Sequence, residues 1–375
     1  MTLALDASNI RAGGGLAHLQ ELIAHAEPEQ FGFKRVILWA PASTLEKIPD
    51  RPWLAKDEQP LLNRGLPWRM YWVWRHLPRL ARKHSDILFG LCANPVDFHP
   101  YVTICQNQLP FAPKERRRYG WSAMRLRLEV LSQTQKKAFR EADGVIFLSQ
   151  ASQEEIRQQV ATLQDKPTRV VPHGLNRRFE TLSKVGEEES KSSFRLLYVS
   201  IIDVYKHQWH LAEAVLQLAA EGLPVALDLI GPAYPPALRR LRAALARYPK
   251  QPAVVQYHGA VPYEDIHRFY QQADMLAFAS SCETFGMILL EAMASGKPVL
   301  ASDIPVNREH LGASGFYFDP EDVSSIKRAI RAVLTNREAA REKGRQAQER
   351  ARAFTWERTA AETFAFLEEI SADFR

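Results

Sequence analysis

Two carboxylates and one ammonium carry most of the chemistry that this sequence offers. Glu283 stands in a polar turn, 280–286, and Glu291 follows eight residues later within an apolar run that ends at Ala294. Acids so placed can hold two sets of hydroxyl groups. Between them, the N–H groups of Phe285 to Met287 open a helix and can face an anion. A plainer arrangement fits the same spacing: Glu283 would cap the helix and Glu291 would lie on a solvated face. Lys206 lies in a second loop, 200–207, and its ammonium can hold an anion more strongly than a helix terminus does. A charged hydrogen bond contributes roughly 1.5–3 kcal/mol, a helix dipole about 0.3–1 kcal/mol.

These residues need elements to hold them. Asp274 to Ala279 reads as a buried strand, roughly Met287 to Ala294 as an apolar helix, Gly296 as its left-handed terminus, and Val299 to Ser302 as the next strand. Loop and helix start then lie at the carboxyl end of a strand, where open α/β sheets bind ligands. The same pattern opens the chain: a strand at Thr2 to Leu5, a loop with Gly13, Gly14 and Gly15, and a helix from about Leu16 to His25. The glycines lack the G-x-G-x-x-G spacing of a dinucleotide loop. Further strands are expected at 35–40, 86–90, 101–105, 144–148, 168–171, 194–200, 225–230 (leading into a ligand-facing turn at Gly231), 254–258 and 315–319. Residues 41–59 and 302–309 are expected to be loops, and Pro78 is expected to break any helix through 67–83. Glu264 and Asp265 suit the first turn of a helix that runs to Ala273.

The string S-x-x-E-T-F-G-x-x-x-x-E-A-M-A-x-G-x-P-V, from Ser280 to Val299, resembles the signature of family 4 retaining glycosyltransferases. The resemblance implies an α/β chain with the GT-B fold, two Rossmann-like doubly wound domains facing a cleft. It implies an acceptor-side domain at 1–180 that a C-terminal helix at 355–375 rejoins, a linker at 181–193, and a nucleotide-sugar domain at 194–354. By the same resemblance, Glu283 contacts the donor sugar, Glu291 the ribose and Lys206 the diphosphate. Thr284, Phe285, Gly286, Gly231, Gly14 and Gly15 line the donor site. Gln106 and Asn107, which stand where relatives have a His-Asp pair, and His173, in a Pro-x-Gly turn, lie on the acceptor side of the cleft. This chain departs from the pattern at Ser200 and Ile201, where relatives carry Gly-Arg.

The reaction so implied moves a hexose from a GDP- or UDP-linked donor to an acceptor with retention. No Asp-x-Asp occurs in the chain, so no metal cofactor is expected. Departing phosphate is expected to assist deprotonation of the acceptor. A nucleotide-sugar epimerase, a catalytically silent nucleotide-binding protein and an NAD-dependent enzyme remain as alternatives.

Composition narrows the setting. The 375 residues suit two domains, and the net charge of +6 is uneven: 64–140 holds fifteen Lys and Arg against four acids. Trp68, Tyr71, Trp72 and Trp74 alternate with Arg69, Arg75 and Arg79, a mixture suited to an anionic bilayer surface, or else to a helix packed on a sheet with a solvated basic face. No nucleic-acid motif accompanies this basic stretch. Three cysteines at unrelated spacings form no disulfide framework, and no apolar run is long enough to span a bilayer. The expectation is a cytoplasmic protein, peripheral on the inner face of the membrane, acting on a lipid-linked acceptor in surface-polysaccharide or O-antigen assembly.

Overall fold

Short, wholly apolar runs such as Met275–Phe278 cannot leave either face in water, so they form the middle of parallel sheets covered by helices on both sides. A computed structural model describes all residues except 181–192, 250, 252, 263–264 and 375. The expected linker thus lies almost wholly outside the described residues, as does Glu264. The chain divides into two compact units. One comprises Met1–Arg116, Trp121–Gly174 and Phe354–Arg375; the other comprises Leu175–Ala353 with the short segment Arg117–Gly120.

The first unit holds β1 (Thr2–Asp6), β2 (Arg35–Ala40), β3 (Leu54–Glu58), β4 (Ile87–Gly90), β5 (Tyr101–Ile104), β6 (Gly144–Phe147) and β7 (Thr168–Val170). They form one sheet in the order β3-β2-β1-β4-β5-β6-β7. The second unit holds β8 (Phe194–Val199), β9 (Val225–Ile230), β10 (Val255–Tyr257), β11 (Met275–Phe278), β12 (Val299–Ser302) and β13 (Phe316–Phe318), in the order β10-β9-β8-β11-β12-β13. Every pairing is parallel. Strand order reverses between β1 and β4 in one sheet and between β8 and β11 in the other. In a doubly wound sheet that reversal opens the ligand crevice.

Four local expectations need correction. Residues 41–59 are not all loop, because Leu54–Glu58 forms the edge strand β3. Its Lys-Asp-Glu end hides the strand from a hydrophobicity reading but suits a sheet edge, and Asp57 accepts the Trp39 indole N–H at 2.9 Å. The first helix begins at Gly13, so Gly14 and Gly15 lie in its opening turn and not in a loop. Pro78 breaks nothing: helical structure runs through Leu66–Tyr71, a π-helical stretch at Trp72–His76, and Leu77–His84. The wider π turn leaves room for a proline that has no N–H to donate. Finally, Pro305–Leu311 is helical, with Pro305 at its start where that missing donor is harmless.

In the first unit Trp72 is fully buried edge-on to Trp39, with ring centroids 6.2 Å apart. That anchor seats its helix and turns Trp68, Met70, Tyr71 and Trp74 outward. The last helix, Trp356–Ala372, belongs to the same unit. It is capped by Thr355 and buries Trp356, Phe364, Phe366 and Leu367.

Candidate active site

Two loops leave adjacent strands at the switch point of the second sheet. Residues 200–207 follow β8, and residues 279–286 follow β11. Hydrogen bonds stitch them together: Ser281 N–H donates to Tyr205 O at 2.9 Å, and His207 Nε2 lies 2.9 Å from Ser281 Oγ. His207 holds a left-handed conformation, φ 53°, at the N-cap of the helix Gln208–Ala220, a conformation that costs a non-glycine residue roughly 1–2 kcal/mol. Its Nδ1 also lies 3.3 Å from Nδ1 of His210, whose own Nδ1 is 2.9 Å from the Pro320 carbonyl. His207 therefore ties the two loops together, and His210 links it to Pro320. Among the described residues no cluster of His, Cys, Asp and Glu could hold a metal ion.

Lys206 Nζ forms an ion pair with Glu283 Oε1 across these loops, with side-chain exposures of 10% and 15%. The ammonium also lies 4.8 Å from the centre of the Tyr205 ring and 5.6 Å from that of Phe278. Burial alone would lower the Lys206 pKa. The Glu283 charge outweighs it and leaves the group above the ordinary lysine value, fixed as a cation. Glu283 does not cap the following helix, since no side chain caps Met287–Ala294. Gly286 turns the chain into that helix with φ 86°, a conformation glycine adopts freely.

Glu291 is buried rather than on a solvated face, and its Oε2 accepts the Tyr270 hydroxyl at 3.0 Å. Neither Tyr270 nor its pairing with Glu291 was visible in the motif. The Phe285 ring is also buried, its centroid 4.5 Å from that of His310, so it packs the core while the neighbouring backbone forms the loop. Thr284 is nearly buried in the same loop. Gly231 sits where the exits of β8 and β9 press together, with φ 140°. Ile201, at the position of the missing arginine, is 38% exposed. Behind it Asp203 accepts the Tyr119 hydroxyl at 3.0 Å and the Val204 N–H at 2.7 Å. Burial raises the Asp203 pKa, while both hydrogen bonds favour its charged form. No sequence pattern announced the Tyr119–Asp203 bond, which joins residues 84 apart.

Gln106, Asn107 and His173 fall in the first unit. Gln106 is half-buried against the opening turn of the first helix, near Gly15. Asn107 is exposed, and its side-chain oxygen accepts the Leu109 N–H at 3.1 Å, which makes it a turn residue. His173 lies in the stretch that follows β7. It is buried, with Nδ1 3.0 Å from Nδ1 of His18 and its ring beside Trp356. Burial lowers the His18 pKa to about 4 and keeps that ring neutral, so the pair is a packing element and not an open polar surface.

Residues 180–352 match the family model described as Glycosyl transferases group 1. That match spans nearly the whole of the second unit. An O-antigen chain mannosyltransferase B of Escherichia coli is 35% identical over 112 residues, 29% of this chain and 29% of that protein. The chain spans about a quarter to a third of the length of the curated relatives it matches. Sucrose-phosphate synthase from Thermosynechococcus elongatus superposes with a TM-score of 0.74 at 20% identity over all of both chains. An Anabaena protein, HepE, solved with UDP and glucose, gives 0.68 at 20% identity over 97% of this chain and 99% of that one. These likenesses carry the fold: two parallel-sheet units in one chain, the GT-B architecture.

Proposed function

We propose that the chain transfers a hexose from a nucleotide sugar to a lipid-linked glycan acceptor, with retention and without a metal. The observation that carries this reading is the buried Lys206–Glu283 pair at the switch point of the second sheet. A cation held there meets a diphosphate, and the carboxylate beside it meets sugar hydroxyls. Charge that a divalent ion would otherwise supply then comes from Lys206 and the uncapped helix start. Glu291, beside Tyr270, is assigned the ribose. No side chain is nominated as a covalent nucleophile, and the departing phosphate takes the acceptor proton. The resemblance of Ser280 to Val299 to the family 4 signature supports this reading, with surface polysaccharide as the proposed product. Nucleoside diphosphates and their sugar conjugates test the reading by thermal stabilisation, with and without magnesium. Ligand at a hundredfold excess over Kd adds about 2.7 kcal/mol. A metal-independent shift by one nucleotide supports the reading, and no shift by any UDP, GDP or ADP compound overturns it.

A bilayer supplies the acceptor in this reading. Trp74 is 75% exposed and Trp121 98%, in segments that also expose Met70 and Leu126, with Arg64 over the Trp68 ring and Arg125 over Trp121. Exposed rings among arginines match an anionic headgroup layer. No helix among the described residues is long and apolar enough to cross a membrane. Phosphatidylglycerol vesicles are expected to retain the protein at low salt and to lose it when Trp74 and Trp121 become Ser. Failure of the unaltered protein to bind overturns the membrane assignment.

A further inference from the structure

The first sheet has its own switch point, between β1 and β4. The loop after β1 carries Asn9 and Arg11, and the loop after β4 carries Cys92. Two arginines bridge from these loops to the segment beyond β3. Arg11 Nη2 donates to the Leu62 carbonyl at 2.6 Å, and Arg69 Nη1, from the helix Leu66–Tyr71, donates to Asn9 Oδ1 at 3.0 Å. Each guanidinium has five N–H groups, so each keeps most of its donors. Burial lowers the Arg69 pKa, and the charges of Arg11 and of Arg127, on the helix Ala123–Glu141, lower it further.

Like charges that act on one another are unfavourable unless something negative joins them. Among the described residues none of the three has a carboxylate partner, although ion pairs are frequent elsewhere in the chain. Asp6, at the end of β1, is no substitute. It is buried, bonded to Ser8 and Asn94, and burial raises its pKa. Cys92 is held neutral, its pKa pushed up to about 12 by burial. Arg69 also buries its Nε without any hydrogen-bond partner. An arginine merely solvated at the surface keeps that atom in water. The switch point of this sheet, where doubly wound sheets bind ligands, thus has beside it cations that keep spare donors.

We infer that Arg11, Arg69 and Arg127 form a binding site for a phosphate or pyrophosphate group of the acceptor. This rests on reading the first unit as the acceptor side, and it narrows the acceptor to a phosphorylated one. Planar guanidinium forks suit phosphate oxygens, and a diphosphate offers enough of them for three arginines. A lipid-linked diphosphate and a soluble sugar phosphate share this chemistry.

Inorganic pyrophosphate is the probe, titrated calorimetrically into the full chain at low ionic strength. Lys206→Met protein removes the main phosphate contact of the other unit and should lose that pyrophosphate site while keeping a second, arginine-dependent one. Arg11→Gln and Arg69→Gln in that background should each weaken binding about tenfold, the loss of one charged hydrogen bond. Arg127→Gln, which breaks no side-chain hydrogen bond among the described residues, should weaken it severalfold and so separates loss of the site from loss of the fold. Arg75→Gln, on the neighbouring helical stretch, should leave binding unchanged. Pyrophosphate binding that vanishes with Lys206→Met, or that ignores all three arginine substitutions, overturns the inference. Arginine-dependent binding that persists although no nucleotide stabilises the protein would sink the transferase reading and leave the anion site standing. A short prenyl diphosphate in uncharged micelles that binds with the same arginine dependence supports the site and identifies a lipid source. Binding of soluble pyrophosphate alone also supports it and identifies a soluble phosphorylated acceptor.

Discussion

Lys206→Met is expected to abolish stabilisation by the nucleoside diphosphate and to cut kcat/KM by about a hundredfold or more. Loss of a charged hydrogen bond to the leaving diphosphate accounts for roughly 10- to 100-fold, and the loss of a charge that balances the transition state adds to it. Stability should fall as well. Glu283 would be left as a nearly buried carboxylate without its cation, and breaking one side of a buried pair costs about 3–5 kcal/mol. Glu283→Gln alone should cut transfer by roughly 10- to 100-fold. The double variant separates the two effects. With neither charge present, much of the lost melting temperature should return while transfer stays near the level of Lys206→Met. Melting temperature and kcat/KM measured on all four proteins complete the cycle. Transfer in Lys206→Met within threefold of the unaltered enzyme would remove Lys206 from the chemistry and leave the pair as a structural bridge.

Local signals were legible in the sequence where one residue type had one physical use. The buried strands announce themselves as apolar runs, and Gly296 with Pro298 ends the helix that carries Glu291. The strand β3 was hidden because an edge strand has only one covered side, and Lys56, Asp57 and Glu58 read as loop. The π-helical stretch was hidden because Pro78 argues for a break unless the preceding turn widens, and nothing local specifies that. At the site, Lys206 and Glu283 were each identified by the motif around them. Their union depends on β8 lying beside β11, a pairing of strands about 80 residues apart that only the folded sheet reveals. The same holds for Glu291 and Tyr270, and for Arg69 and Asn9. Sequence spacing records which side chains share an element; the switch point decides which elements share a crevice.

Gly231→Ala tests whether that crevice depends on the close approach of two strand exits. Gly231 follows β9 with φ 140°, a region essentially reserved for glycine, and a Cβ there would sit closer to the Ser200 carbonyl oxygen than real Cβ atoms sit. The backbone is fastened on both sides: Ser200 N–H donates to Ile230 O at 2.8 Å, and Gly231 N–H to Gly259 O at 2.8 Å. Neither partner is the flexible end of a side chain, so a methyl group must push the loop 200–207 away from β9. Strained backbone costs about 1–3 kcal/mol, and overpacking costs a similar amount. A loss of about 3 kcal/mol or more is expected. Gly222→Ala is the matched control, with φ 87° and nothing within 4 Å of the added atom. It should lose only about 1 kcal/mol, the cost of a left-handed alanine. Because the displaced loop ends in Lys206, Gly231→Ala should also weaken nucleotide binding at temperatures where the protein is still folded, whereas Gly222→Ala should not. Chemical denaturation measures the first difference and nucleotide titration the second. Equal stability losses in the two variants would mean that the exits of β8 and β9 can part without cost. Lys206 would then be positioned by Glu283 and the Ser281 contacts alone.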